Sequence, residues 1–122
     1  MKEDVQAVVI EDLKSGRFTQ GYGYLRSWND DEKRWDYCCL GIICERSGLG
    51  EWQEFYTEDG EKVSNYLGES QYLPDAVAEW AGIPTDQMDG SVQLRLAELN
   101  DEEHSFVEIA DSLPTIVAEG AE

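Results

Sequence analysis

The sequence predicts a single small α+β domain: a short antiparallel sheet with three or four helices packed on it. Three observations carry that expectation. Amphipathic helical runs sit at both ends and in the middle of the chain, strand-like runs separated by turn signals lie between them, and 122 residues make one core without a linker. Four Trp, six Tyr and three Phe supply enough apolar area to offset chain entropy.

The first helix is expected over Asp4–Ser15. Val5, Val8, Val9 and Leu13 fall on one face, Asp12 interrupts that face, and Gly16 is a natural stop. In "RFTQGYGYLRSW", Phe18, Tyr22, Tyr24 and Leu25 are strand-prone, although Gly21 and Gly23 interrupt them. Asn29–Lys33 reads as a polar turn, with "RWDY" returning as a second strand. Cys38–Arg46 is apolar nearly all round and closed by Gly48; it reads as a short buried helix, with a buried strand as the alternative that periodicity leaves open, and it is expected at the centre of the fold. "EWQEFYTEDGEKVSNY" reads as a hairpin whose two-residue turn is Asp59-Gly60. Pro74 suits the first position of a helix that Gly82 and Pro84 end. Leu94–Leu99 leans to helix. Ser105 and Glu108 form a capping box ahead of a stripe of Phe106, Ile109, Ala110 and Leu113, and Pro114 is expected to end or kink that helix.

Charge is unevenly spread. The net charge is −18. Residues 1–50 hold seven Lys and Arg against nine Asp and Glu, whereas residues 51–122 hold two against eighteen. Direct binding to a nucleic acid is not expected from such a chain, because phosphate contacts need cations. No stretch approaches a membrane span, and no N-terminal apolar run reads as a signal peptide, so reduced thiols in a cytosol are expected.

The three cysteines, Cys38, Cys39 and Cys44, lie in one apolar segment. Adjacent cysteines point about 100° apart on a helix and chelate poorly. The only histidine, His104, is sixty residues away. The cysteines are therefore expected to pack the core, and no metal or other cofactor is expected. Two groups of residues are candidates for binding. Arg17, Tyr22, Tyr24, Arg26, Trp28 and Trp35 combine aromatic rings with cations, a combination suited to a nucleotide ligand; Tyr22, Tyr24 and Arg26 alternate as they would on one face of a strand. Glu58, Asp59, Glu61, Asp101, Glu102 and Glu103 are the acids expected to meet a basic protein partner.

"LKSGRFTQGYGYLR", "YCCLGIICE", "YLPDAVAEWAGI" and "LAELNDEEHSFVEIAD" follow one another in an order that resembles a family of small tailed-bacteriophage proteins. Its pattern joins Cys-Cys-Leu-Gly to Leu-Asn-Asp and Ser-Phe-x-x-Ile-Ala-Asp. The match runs from Leu13 to Asp111, with Phe18 where the pattern has Tyr and with Pro114 as a further departure. The resemblance implies a phage accessory protein in the host bacterial cytoplasm and brings no reaction or catalytic residue with it. Three functions are carried forward. The first is a non-enzymatic protein that counters a host defence pathway by binding a basic host protein, with a nucleic-acid mimic as one form. The second is sequestration of a nucleotide signal. The third is a metal-dependent hydrolase built on clustered acids and His104. A homodimer is compatible with all three.

Overall fold

The computed structural model describes residues 1–120. These residues form five helices and a five-stranded sheet. In chain order the elements are α1 (Glu3–Lys14), β1 (Thr19–Gln20), β2 (Arg26–Asn29), β3 (Arg34–Tyr37), α2 (Cys39–Ser47), β4 (Trp52–Tyr56), β5 (Lys62–Tyr66), α3 (Asp75–Ala81), α4 (Val92–Asp101) and α5 (Phe106–Glu119). The α+β class is the expected one. The sheet, in order β1-β3-β2-β5-β4, is mixed rather than purely antiparallel, because the two residues of β1 run parallel to β3. Among the described residues there are five helices rather than three or four, because every segment read as helical, Leu94–Leu99 included, forms a helix of its own.

Helix α2 is the hub and packs against α1, α3, α4 and β3. Its residues Cys39 to Cys44 are all buried, and Gly48 ends it at φ 63°. Gly41 is required by close approach: a Cβ there would sit 1.9 Å from the carbonyl oxygen of Leu25. Helices α1 and α5 close the other side, with Lys14 paired to Asp111 at 3.0 Å.

Several local expectations are corrected. Tyr22 and Tyr24 do not share a strand face with Arg26, because β2 begins only at Arg26. Gly21 packs so tightly that a Cβ would lie 2.9 Å from the Cβ of Asp36, and Gly23 turns the chain at φ 82° with its N–H donated to Asp101. The β4–β5 connection is a three-residue loop, Glu58-Asp59-Gly60, rather than a two-residue one. The Gly60 N–H donates to the Thr57 carbonyl, the Thr57 N–H donates to Glu61, and Gly60 is left-handed at φ 82°. Pro74 is the N-cap of α3 and not its first residue. Pro114 does not end α5, which runs on to Glu119. An interior proline costs about 3 kcal/mol. The next turn buries Ile116 and Val117, each contributing about 1.5–3 kcal/mol, so continuation wins.

Candidate functional site

Residues whose Cα atoms pair across neighbouring strands share a face of the sheet, so one face carries Arg26 and Trp28, Trp35 and Tyr37, Lys62, Ser64 and Tyr66, and Trp52, Glu54 and Tyr56. Tyr37, Trp52 and Tyr66, at one end of this face, pack against the helical core. Beside them the guanidinium of Arg26 lies 4.0 Å from the ring centroid of Trp35 and 4.6 Å from that of Trp52, and its Nε donates to Ser64 Oγ at 3.0 Å. Trp28 meets Trp35 edge to face at 5.3 Å, and the Lys62 ammonium sits 5.0 Å from the Trp28 centroid. Beyond them an open groove of about 420 Å³ runs between Trp28, Asp30, Tyr56, Gly60, Glu61 and Lys62.

Of the residues expected to bind a ligand, the fold brings together Arg26, Trp28 and Trp35. The other three lie elsewhere. Arg17 packs on Phe18 and pairs with Asp12. Tyr22 is exposed on the β1–β2 loop. Tyr24 lines a separate cavity of about 180 Å³ with Cys38, Tyr72, Asn100 and Asp101. Trp52, Tyr56, Lys62 and Ser64 join the site without having been expected there. They arrive through the β2–β5 pairing, which links residues 38 apart in sequence.

The two acidic groups are also far apart in the sheet order. Glu58, Asp59 and Glu61 belong to the turn beyond edge strand β4. Asp101, Glu102 and Glu103 end α4, which is fastened beside the opposite edge strand β1 by Gln20 Nε2, a donor to Asn100 Oδ1 at 3.1 Å and to the His104 carbonyl at 2.7 Å. They form two poles and not one patch.

The motif residues between these poles are structural fasteners. Asn100 is fully buried. Its Oδ1 also accepts from the Cys39 N–H at 3.2 Å, and its Nδ2 donates to the Gly21 carbonyl at 2.8 Å. The Leu-Asn-Asp segment thus ties α4 to the start of α2 and to the β1–β2 loop. Gln93, equally buried, accepts from the Leu73 N–H at 2.9 Å and donates to the Pro84 carbonyl at 3.2 Å. Asp12, the interruption in the α1 stripe, is 2% exposed and accepts from Arg46 Nε at 2.7 Å as well as from Arg17. That hydrogen bond, with the attraction of the carboxylate, raises the pKa of Arg46.

The three cysteines are free and buried. Cys38 caps α2, its sulfur accepting from the Gly41 N–H at 3.4 Å. Burial pushes its thiol up to about 11 and raises Cys39 and Cys44 as well. All three are therefore protonated at neutral pH, and a thiol in that state is a poor nucleophile. His104 lies 3.6 Å from Glu108, whose pKa is lowered chiefly by the hydrogen bond from the Ser105 N–H. Among the described residues, no group of three or more His, Cys, Asp or Glu is placed to hold a metal ion. Among the described residues, no helix is long and apolar enough to cross a membrane.

No curated protein and no solved structure matches the chain. A family pattern does match, over residues 1–116, nearly the whole length: the chain belongs to the family described as Domain of unknown function (DUF8296).

Proposed function

We propose that the protein is a non-catalytic accessory protein, of the kind tailed phages encode, that acts in the host bacterial cytoplasm by binding a basic partner protein. The observation that carries this reading is the charge of the second part of the chain. Lys62 and Arg95, the only cations after residue 50, are already paired, with Glu54 at 3.5 Å and Glu119 at 3.6 Å. Among the described residues, no cation pairs with Glu58, Asp59, Glu61, Asp101, Glu102 or Glu103. Such a surface speeds encounter with a basic protein and repels nucleic acid. Occupying a basic host surface would withhold it from its own ligand, which is how the protein would counter a host pathway.

The test is affinity capture from bacterial lysate at low salt and at about 1 M salt, where the screening length falls to about 3 Å. Basic proteins retained at low salt and released at high salt support the reading. Retention unchanged by salt refutes it. Duplex DNA that competes for the captured protein identifies the nucleic-acid-mimic form.

A second reading, sequestration of a nucleotide-sized ligand, has one specific observation in its favour: the groove beside Trp28, with an ammonium group on its wall. Its test is calorimetric titration with a nucleotide panel. Heat that disappears in Trp28→Ala supports the groove, and a silent panel removes this reading.

A further inference from the structure

The two edges of the sheet differ. β1 has two residues, and the side chain of Gln20 ties it to α4 and His104. β4 is a five-residue strand paired on one side only, with β5. The direction of its backbone groups follows from the ladder. Thr57 and Glu61 form a hydrogen-bonded pair, so the alternation of an antiparallel ladder makes Phe55–Val63 and Gln53–Asn65 hydrogen-bonded pairs too. The partners of the residues between agree: the Cys38 N–H bonds to the Leu25 carbonyl, so in the β2–β3 ladder Ser27 faces β3 and Arg26 turns its backbone groups to Ser64, and Tyr66 exchanges both backbone bonds with Glu69. Trp52, Glu54 and Tyr56 therefore turn their N–H and C=O groups away from β5. Among the described residues, nothing hydrogen-bonds to these six groups. The strand contains no proline, lysine or bulge, the usual devices that blunt an edge. Tyr56, 70% exposed, stands at its end.

We infer that β4 is a docking edge that takes an extended, lysine- or arginine-bearing segment of the partner protein as a sixth strand. This rests on the basic-partner reading above and names its site. Charge decides the occupant. The register that pairs the whole of β4 with a second copy places Glu54 opposite Glu54, each shared with its own Lys62 at 3.5 Å, and brings together two chains that each carry −18. A basic segment lying along the edge meets carboxylates instead. Glu51, at the start of the strand, and Glu58, Asp59 and Glu61, beyond its end, extend the same sign along the edge. Backbone bonds would supply the affinity, and the charge row would select the partner.

The test uses the whole chain and two synthetic probes of equal charge. One is an end-blocked heptapeptide alternating lysine and valine. The other is the same peptide methylated on the backbone nitrogens that would face β4. Amide hydrogen exchange is read residue by residue at low ionic strength. The expected result is that the first peptide slows exchange at Trp52, Glu54 and Tyr56 by about tenfold or more, while Gln53 and Phe55, already bonded to β5, change little. The methylated peptide is expected to bind about fivefold more weakly for each donor removed. Glu54→Pro removes an N–H that the β4–β5 ladder does not use and is expected to abolish the protection. The methylated probe leaves the protein unaltered, so the test stands even if that variant fails to fold.

Equal binding of both peptides, without protection of β4, overturns the edge while leaving the basic-partner reading in place. Binding of neither peptide overturns the edge and counts against that reading as well. Protection of the same amides in the protein alone, growing with its concentration, assigns the edge to a second copy and overturns the inference.

Discussion

Replacing Asn100 separates a structural role for the Leu-Asn-Asp motif from a functional one. The Asn100 side chain serves the Cys39 N–H, the Gln20 amide and the Gly21 carbonyl. In Asn100→Ala, Gln20 keeps its bond to the His104 carbonyl. The Cys39 N–H and the Gly21 carbonyl are left without this partner. Each buried orphan costs about 1–3 kcal/mol, so a loss of about 2–6 kcal/mol is expected. Domains of this size have about 5–15 kcal/mol in total, so the variant would sit near the edge of folding. Asn100→Asp is the informative companion. It keeps both acceptor bonds but puts a carboxylate oxygen against the Gly21 carbonyl and buries a charge without a cation. Both variants are measured by urea unfolding. With a slope of about 1–3 kcal/mol per molar, a 3 kcal/mol loss moves the midpoint by about 1–3 M. Midpoints within about 0.3 kcal/mol of the parent, after conversion by that slope, would refute the assignment of Asn100 as a fastener, because water would then be replacing it.

Other outcomes follow from the same structure. Gly41→Ala forces a Cβ into the Leu25 carbonyl and is expected to cost at least about 2 kcal/mol in the same assay; a neutral result would mean that α2 can shift without loss. Because burial raises the thiol pKa values in the fold, their contribution is complete below the ordinary value near 9 and is lost as pH rises above it, for Cys38 toward about 11. Stability should therefore fall across that window, by up to about 1.4 kcal/mol per pH unit for each thiol, and a flat unfolding midpoint between pH 8 and 10 would contradict this. The same thiols should resist a disulfide reagent at pH 8 in the folded chain and react once it is unfolded. Ser105→Ala removes the cap of α5 and should cost about 1 kcal/mol, read as a shift in the thermal midpoint.

The sequence marks the helices more clearly than the sheet, for a physical reason. Helix ends are written in local chemistry: Ser105 with Glu108, Gly48 and Gly82 in the left-handed region, and Pro74 at an entry. The hairpin was legible through Gly60, although its loop is one residue longer than the dipeptide suggests. The parallel β1–β3 pair and the β2–β5 pair are not local, and so the companionship of Arg26 with Trp52, Lys62 and Ser64 was hidden. Asp12 was visible as an anomaly in an apolar stripe, but its partner Arg46 is 34 residues away. Asn100 and Gln93 carry no local signal of burial; only the backbone groups that two other segments bring to each of them explain why they are inside.

Native mass spectrometry of the tagged protein recovered from a bacterial lysate, set beside its denatured mass, tests the basic-partner account most directly. The account predicts a complex with a basic polypeptide that dissociates when the sample is prepared at about 1 M salt. A small adduct of nucleotide mass that survives the same salt and leaves only on denaturation would contradict it.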